Sequence, residues 1–240
     1  MSAPLASGPG GKGARVREMF SRIAGRYDLL NTLLSLGIDG IWRREAAEVA
    51  LEDGATTILD AATGTGALAL TMKRLAPDAA VVGLDFAEPM LELAGRKASD
   101  RGLDLQLIQG DVMQLPFEDD SFDSVTIAYG LRNLSDWSAG LSELRRVLRP
   151  GGRLVILEFP PPPEGVLGQA FRFYFLNVLP LVGGLISGSR QAYDYLPSSV
   201  LAFPRPPELA GLMQSVGFGA VRYRLQSYGV SAIFTGVKTS

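Results

Sequence analysis

Short apolar runs that suit β-strands recur along the middle of the chain, and segments with apolar residues at helical spacing lie between them. The predicted strands lie near residues 57–61, 81–85, 105–109, 122–128 and 153–159, and the predicted helices near 67–76, 88–99 and 136–148. Parallel strands need a long connection, which is usually a helix. The alternation therefore favours an α/β fold with a parallel, doubly wound sheet.

The segments that flank this alternation have a different composition. Residues 1–13 are rich in Gly, Ser and Pro, so we expect a disordered tail ahead of an N-terminal helical cap, 14–51. The proline run PPPPEG opens an insertion, 160–207. We expect this insertion to contain an aromatic-rich helical part, 166–188, and a Tyr- and Pro-rich loop, 190–207.

Two more strands, VRYRLQS and SAIFTGVK, follow the last predicted helix, with Tyr228 and Gly229 between them. A link this short predicts an antiparallel hairpin. Upstream, Pro150-Gly151-Gly152 predicts a sharp turn that leads into the strand RLVILEF. The whole pattern predicts a mostly parallel, seven-stranded sheet with a C-terminal antiparallel hairpin, in a single domain over 14–240.

Composition removes several kinds of chemistry. The 240 residues contain no cysteine and no histidine, which excludes disulfides, thiolate metal sites and the commonest general base, and we expect no metal. The net charge of −2 gives no reason to expect nucleic acid as a partner. A signal peptide and an apolar run of about 18 residues are both missing, so we expect a cytoplasmic protein.

The segment ILDAATGTGAL, 58–68, predicts a strand, a glycine turn and a helix. Asp60 ends the apolar run, and Gly64 and Gly66 supply a turn where a ligand can lie against bare backbone near a helix N-terminus. A second strand ends at Asp85, the position at which nucleotide-binding α/β folds hold ribose hydroxyls. This ordered set predicts an enzyme that binds a nucleoside cofactor.

Two cofactors fit the pattern. GTGALA, 64–69, matches the loose G-x-G-x-x-G/A pattern of NAD(P) sites. S-adenosylmethionine (SAM) instead needs an acid that binds its ammonium group, and Asp60 is placed to provide it. SAM also needs polar groups after the later strands, and Asp111 is one of these. The closing hairpin and RVLRPGGRLVI resemble the Rossmann-like class of SAM-dependent methyltransferases, and no second domain with a dehydrogenase's catalytic residues is visible. These features favour SAM.

Four segments resemble one family within that class, the C-methyltransferases of menaquinone and ubiquinone synthesis (demethylmenaquinone methyltransferase and 2-polyprenyl-benzoquinol methylase). They are YDLLNTLLSLGIDGIW (27–42), IAYGLRNL (127–134), RVLRPGGRLVILEF (146–159) and SRQAYDYLPSSVLAFP (189–204). The resemblance runs from about residue 14 to 238. It implies a class I SAM-dependent methyltransferase fold and methylation of the ring of a polyprenyl quinol.

Demethylmenaquinol is our first choice of substrate within that resemblance. The benzoquinol step of ubiquinone synthesis and methylation of another small phenolic or lipid substrate stay open, as does an NAD(P)-binding oxidoreductase. For the cofactor, the resemblance implies that Thr65 contacts SAM and that Asp111 and Val112 flank its adenine.

Arg132 follows the fourth predicted strand, at the edge where open α/β sheets bind ligands, so its guanidinium would stabilise a quinol oxyanion. The alternative for Arg132 is an ion pair with an acid such as Asp136. Asn133 either donates to a quinol oxygen or caps the following turn. Tyr27 either touches the methionine part of SAM or the ring, or packs in the interior, and we interpret Trp42 as a core residue.

The chain departs from the family pattern at several positions. Asp39 and Phe234 stand where the family usually has histidine, Arg149 where it has lysine, and Pro160 where it has serine. Ala62 stands in the cofactor turn where most methyltransferases have glycine, and alanine is tolerated there if its φ is not positive. These departures affect the expected substrate more than the expected reaction.

The insertion is the part of the chain suited to meet an isoprenoid tail. Phe171, Phe173, Tyr174 and Phe175 either line an isoprenoid groove or form core. We expect the insertion to act as a mobile cover over the tail of a polyprenyl quinol, and the enzyme to make transient contact with the inner face of the membrane. A homodimer stays open.

Overall fold

The computed structural model of the chain describes residues 37–162 and 190–239, together with seven separate positions between residues 18 and 169. The strands of the described residues are β1 (Thr57–Ala61), β2 (Ala80–Asp85), β3 (Gln106–Gln109), β4 (Phe122–Ala128), β5 (Leu148–Glu158), β6 (Phe218–Gln226) and β7 (Ser231–Lys238). The α-helices are α1 (Asp39–Ala50), α2 (Ala67–Leu75), α3 (Glu88–Ser99), α4 (Trp137–Val147), α5 (Arg190–Ala202) and α6 (Pro206–Ser215).

The strands form one sheet in the order β3-β2-β1-β4-β5-β7-β6, which confirms the predicted fold class. β1 to β5 pair in parallel. β7 lies between β5 and β6 and is antiparallel to both, so β7 is the reversed strand of the predicted hairpin. The winding reverses between β1 and β4, and ligands bind in the crevice at the carboxyl ends of such a pair.

Apolar layers cover both faces of the sheet. The successive residues Ile58 and Leu59 of β1 belong to different core clusters, because side chains alternate along a strand. One cluster packs α1 and α2 on the sheet and includes Trp42, whose exposure of 2% confirms that it is a core residue. The other cluster includes Leu144 of α4 and Met213 of α6. Burial on both faces explains why these strands are continuous apolar runs.

Strand β5 begins earlier than the sequence predicts. Leu148 already pairs with Phe122 of β4, and the register then shifts before the next pair. The predicted turn at Pro150-Gly151-Gly152 therefore lies within the bounds of β5 rather than ahead of it, since these residues interrupt the pairing between Leu148 and Arg153. Gly151 has a φ of +82°, which glycine adopts without steric cost.

The predicted loop over 190–207 is also wrong, because most of it is the helix α5. Pro197 lies inside this helix, where a missing N–H usually costs about 3 kcal/mol. Pro197 and Val200 are buried, and this tertiary packing outweighs the local preference. Pro206 instead begins α6, a position that suits proline because the first N–H of a helix has no helical partner.

Several predictions concern residues that the structure does not describe. These are the disordered tail 1–13, most of the cap up to residue 36, and the aromatic part of the insertion with Phe171, Phe173, Tyr174 and Phe175. In the described part of the chain, α1 is the helix of the cap. No helix among the described residues has the length and hydropathy needed to span a bilayer.

Candidate active site

The turn between β1 and α2 has a left-handed backbone at three positions. Ala62, Gly64 and Gly66 have φ values of +53°, +57° and +77°. Gly66 immediately precedes α2, and a Cβ added to it would lie 3.0 Å from the Cβ of Ala94. Glycine is thus required there for both backbone conformation and space. The predicted glycine turn at a helix N-terminus has the expected geometry.

Ala62 does not meet the condition that makes alanine acceptable in this turn, a φ that is not positive. Its φ is positive, and a left-handed conformation costs a residue with a Cβ roughly 1–2 kcal/mol. The methyl group packs against the core cluster beside Gly130, where an added Cβ would lie only 2.7 Å from it. Tertiary packing therefore holds Ala62 in a conformation that glycine would adopt more easily.

Asp85 closes this turn from the end of β2. Its Oδ2 accepts the N–H of Gly64 at 2.8 Å, and its Oδ1 accepts the N–H of Ala87 at 2.9 Å. The residue is 5% exposed, and burial raises the pKa of its carboxyl although these bonds oppose the rise. Each carboxylate oxygen has a second lone pair, so both can also accept a hydroxyl.

Asp60 lies beneath the turn and is 1% exposed. The hydroxyls of Thr63 and Thr126 donate to its two oxygens, each at 2.6 Å. Burial raises the pKa of Asp60 to about 6, and the hydroxyl bonds together with the charge of Arg43 limit the rise. The carboxylate therefore places negative charge directly under the backbone of the turn.

The remaining predicted cofactor residues lie around the ends of α2 and β3. Thr65 is 1% exposed, and its carbonyl accepts a hydrogen bond from Lys97 Nζ at 3.3 Å. Asp111 is exposed and lies two residues beyond β3 rather than at its end, and its Oδ1 accepts the N–H of Met113 at 2.9 Å. Val112 is buried beside it, so the pair offers one polar and one apolar surface.

The end of β4 carries the second group of site residues. Tyr129 has a φ of +56°, and its ring stacks on Phe159 with the centroids 4.4 Å apart. A 3₁₀ turn, Leu131–Asn133, follows. The carbonyl of Tyr129 accepts Nη1 of Arg132 at 2.6 Å and Nδ2 of Asn133 at 3.2 Å. One carbonyl thus orients both side chains.

Arg132 forms a buried ion pair with Glu158 at the end of β5. The Nη1–Oε1 distance is 2.5 Å, the backbone N–H of Arg132 donates to Oε2 at 3.2 Å, and the side chains are 5% and 0% exposed. Burial raises the pKa of Glu158, and the charge of Arg132 opposes the rise. The ion pair foreseen for Arg132 is therefore made with Glu158 and not with Asp136, which accepts the N–H of Ala139 as the N-cap of α4.

Asn133 does not cap the following turn, because its Nδ2 donates back to the carbonyl of Tyr129. Its Oδ1 accepts the hydroxyl of Tyr195 at 3.0 Å. Tyr195 belongs to α5, so this bond joins the insertion to the end of β4. Tyr27, the third predicted catalytic residue, lies outside the described residues.

The positions that depart from the family pattern have clear structural surroundings. Asp39 forms an ion pair within α1, and Phe234 is fully buried in β7. Arg149 pairs with Asp123, and Pro160 is buried after β5. Where the family usually has histidine, this chain thus has an ion-paired acid and a core ring.

Sequence reasoning missed Glu158 and Tyr195. Glu158 had a visible signal, since it is a lone acid at the end of the apolar strand RLVILEF. Such an acid in a buried strand needs a cationic partner, and Arg132 is the cation that follows the neighbouring strand. Tyr195 had no comparable signal, because the segment that carries it was interpreted as a loop.

The arrangement around Gly64 distinguishes the two candidate cofactors. A pyrophosphate in a dinucleotide site binds to free N–H groups of the glycine turn. Here the N–H of Gly64 donates to the carboxylate of Asp85, and the carboxylate of Asp60 lies beneath the same turn. Asp85 suits a ribose hydroxyl of either cofactor. The buried carboxylate of Asp60 would repel a pyrophosphate, whereas it suits the ammonium group of SAM. The residues therefore fit SAM.

The parallel sheet with one reversed strand, together with this acid-lined glycine turn, defines a class I SAM-dependent methyltransferase. Sequence comparison agrees with that class and narrows it. The profile of the ubiE/COQ5 methyltransferase family matches residues 10–238, and the chain belongs to that family.

The relatives within the family are similar along almost their whole length. A demethylmenaquinone methyltransferase of Thermus thermophilus is 58% identical over 91% of this chain and 99% of its own. A ubiquinone/menaquinone biosynthesis C-methyltransferase UbiE of Geobacter sulfurreducens is 48% identical over 95% of this chain and 90% of its own.

Solved structures support the fold at much lower identity. A SAM-dependent methyltransferase of Thermotoga maritima, described as a possible histamine N-methyltransferase, has a TM-score of 0.67 at 19% identity and covers 92% of this chain and 99% of its own. The [4+2]-cyclase SpnF has a TM-score of 0.69 at 19% identity and covers 100% of this chain and 99% of its own. Because a cyclase shares the fold, the fold alone does not identify the reaction.

Proposed function

We propose that this methyltransferase transfers a methyl group from SAM to a ring carbon of demethylmenaquinol. The observation that carries the proposal is the 58% identity to the Thermus thermophilus demethylmenaquinone methyltransferase over nearly the full length of both chains. The crevice at the ends of β1, β2 and β4 supports it, since acids lie on one side of this crevice and hydrogen-bond donors on the other.

The β1–β2 side of the crevice holds the cofactor in this proposal. Asp85 accepts the ribose hydroxyls, and the negative charge of Asp60 attracts the ammonium group. Thr65, Gly64 and Gly66 approach the cofactor through the turn, because two of them have no side chain to keep it away. Asp111 and Val112 flank the adenine, with Val112 giving a buried apolar surface.

The β4 side holds the ring. The bound cofactor supplies an electrophilic methyl group on a sulfonium sulfur. Asn133 donates to a ring oxygen and favours the quinolate, whose ring carbon is the nucleophile. The charge of Arg132 is balanced by Glu158, so in this proposal Arg132 acts by holding the carbonyl of Tyr129, which also orients Asn133. Tyr27 contacts the ring or the methionine part of SAM from the cap.

The proposed reaction balances without a metal or an oxidant. A carbon–carbon bond forms between the ring and the methyl group as the carbon–sulfur bond breaks, and S-adenosylhomocysteine takes the electron pair. The ring carbon then loses its proton. Since the chain has no histidine, a carboxylate, a phenol or water must receive this proton. Alignment of carbon and methyl supplies up to roughly 7–11 kcal/mol of the acceleration.

A benzoquinol of ubiquinone synthesis is the second candidate substrate, because the Geobacter sulfurreducens relative is named for both quinones. Assays of the purified enzyme with the naphthoquinol and the benzoquinol, each with the same prenyl tail, decide between the two rings. We expect turnover of the naphthoquinol at the higher kcat/KM. Activity only on the benzoquinol would contradict the assignment.

The cofactor is checked in the same preparation by thermal unfolding. SAM and S-adenosylhomocysteine should raise the melting temperature, because each binds the folded state alone. NAD(P) should leave the melting temperature unchanged, because Asp60 repels its pyrophosphate and the N–H of Gly64 is already bonded to Asp85. A rise with NAD(P) equal to that with SAM would contradict the proposed cofactor side.

We further propose that the enzyme binds reversibly to the membrane surface in which a polyprenyl quinol is dissolved. Exposed apolar side chains support this contact: Ile41 on α1 is 59% exposed, and Tyr228 in the turn before β7 is 93% exposed. Trp42 Nε1 donates to Ser227 at 3.0 Å, which places that turn beside α1. A groove that buries part of the isoprenoid tail belongs to the same proposal. Activity should then rise over the first isoprenoid units, since each buried CH₂ contributes about 0.8 kcal/mol. Equal rates with tailless and prenylated quinols would contradict such a groove.

A further inference from the structure

The side-chain amide of Asn133 is held at both ends. Its Nδ2 lies 3.2 Å from the carbonyl oxygen of Tyr129, and its Oδ1 lies 3.0 Å from the hydroxyl of Tyr195. A carbonyl oxygen only accepts hydrogen bonds, so the amide nitrogen must face Tyr129. The amide oxygen then faces Tyr195, and the hydroxyl of Tyr195 must be the donor.

This orientation leaves one N–H of Asn133 that no described residue accepts. A side-chain amide has two N–H donors, and Tyr129 uses one of them. Asn133 is half-buried at the end of β4, in the crevice where the ring is proposed to bind. The second N–H is therefore placed to donate to a ring oxygen.

Tyr195 comes from a distant part of the chain. It lies on α5, 62 residues beyond Asn133. Burial raises the pKa of Tyr195, so its hydroxyl keeps its proton at neutral pH and remains a donor. Because Tyr195 donates this proton in a hydrogen bond to Asn133, it does not act as a general acid or base.

We infer that Tyr195 is a positioning residue whose hydroxyl fixes the amide of Asn133, so that the second N–H of Asn133 is presented to a ring oxygen of the substrate. The inference rests on the function proposed above and adds to it a residue of the insertion that acts through Asn133. Through this bond α5 fixes the donor from the insertion side of the crevice.

The kinetic test compares Tyr195→Phe with the wild-type enzyme on the prenylated naphthoquinol. Losing the hydroxyl frees the amide, so kcat should fall by roughly 10- to 100-fold while KM for SAM stays unchanged. In an Asn133→Ala background the same replacement should have no further effect on kcat, because Tyr195 acts only through that amide. Tyr223→Phe, at an exposed tyrosine of β6, is the matched control and should leave kcat unchanged.

Equal fold-losses from Tyr195→Phe in both backgrounds would overturn the inference. A substrate-free measurement separates this failure from failure of the proposed function. In ¹⁵N-labelled full-length enzyme, the side-chain N–H signals of Asn133, identified by their loss in Asn133→Ala, should exchange with solvent several-fold faster in Tyr195→Phe. If the wild-type enzyme methylates no quinol, exchange alone decides: faster exchange supports the role of Tyr195, and unchanged exchange overturns it.

Discussion

The two sides of the crevice are built in different ways. On the cofactor side, most contacts lie between Asp60 and Ala87: the carboxylate of Asp85 accepts the N–H groups of Gly64 and Ala87, and Asp60 accepts the hydroxyl of Thr63. Thr126 of β4 adds a contact to Asp60 from further along the chain. On the ring side, side chains from distant segments contact one another: Arg132 meets Glu158 across 26 residues, and Asn133 meets Tyr195 across 62.

Because the two sides are built differently, mutations on one side should affect cofactor binding and mutations on the other should affect the stability of the fold. Backbone geometry on the cofactor side is fixed by local turns, so a side chain there can change without leaving a buried charge exposed to apolar surroundings. The ring side depends on an ion pair removed from water, in which each partner is tolerated only because of the other. Removing an acid of the cofactor side should therefore weaken cofactor binding without destabilising the fold, and removing Glu158 on the ring side should destabilise it.

The largest effect should follow from Glu158→Gln. It keeps the shape of the side chain and removes one buried carboxylate, but the charge of Arg132 then stays buried without a counter-charge. This second effect outweighs the first, so the free energy of unfolding should fall by about 3–5 kcal/mol. Urea denaturation measures the loss. The control is Glu48→Gln in the exposed pair with Arg44, where the change should stay below about 1 kcal/mol. Equal losses in the two variants would remove the distinction between the two sides.

Asp60→Asn should have an effect that depends on pH. Burial raises the pKa of Asp60 from 3.8 to about 6, so the folded state binds the proton more tightly than the unfolded state. Stability of the wild type therefore falls as pH rises from about 4 to 6, by up to about 3 kcal/mol at 1.36 kcal/mol per pKa unit. Relative to the wild type, the free energy of unfolding of the variant should therefore rise over that range, and the difference should persist at pH 7. Urea denaturation without cofactor measures it.

Asp123→Asn is the control with the opposite sign. Burial raises the pKa of Asp123, but hydrogen bonds from Thr57, Thr56 and Arg149 outweigh this and hold it below its usual range. Its contribution to stability is present above the ordinary pKa and is lost as pH falls, so this variant should be less stable than the wild type at pH 7. A constant difference between Asp60→Asn and the wild type from pH 4 to 7 would contradict the raised pKa.

Asp85→Ala should weaken SAM binding by roughly 1.5–3 kcal/mol, the range for hydrogen bonds to a charged group. Titration calorimetry measures the change, and urea denaturation should show a smaller effect than for Glu158→Gln. Asp111→Ala, at an exposed acid, should weaken binding less. Unchanged SAM affinity in the Asp85 variant would remove this residue from the ribose role.

The smallest effect should come from Ala62→Gly. Relief of the positive φ is partly offset by the greater freedom of glycine in the unfolded chain, so we expect a gain of about 0.5–1 kcal/mol. Gly130→Ala alone should destabilise by about 1–3 kcal/mol, because its Cβ would lie 2.7 Å from that of Ala62. The loss should be smaller in the Ala62→Gly background. Strict additivity of the two changes would contradict this contact.

The same difference between the two sides explains what sequence could predict. The strands β1 to β4, the glycine turn and Asp85 follow from local periodicity and turn chemistry, which a single segment contains. The pairing of Arg132 with Glu158 depends on two strands being neighbours, so it requires the sheet order. The helix α5 was missed because Pro197 opposes it locally and only its burial in the folded protein outweighs that preference.

The position of β7 affects the protein while it is being synthesised. β5 leaves the ribosome before α5, α6 and β6, and its partner β7 follows all three. Until then β5 is an open edge that carries the core residues Leu154 and Ile156, and such edges promote association between nascent chains. β6, the final edge strand on this side of the sheet, is instead protected by Arg222, Arg224 and a register shift. Aggregation during translation should therefore begin at β5, and a chaperone that holds this strand until β7 arrives should raise the yield of folded enzyme.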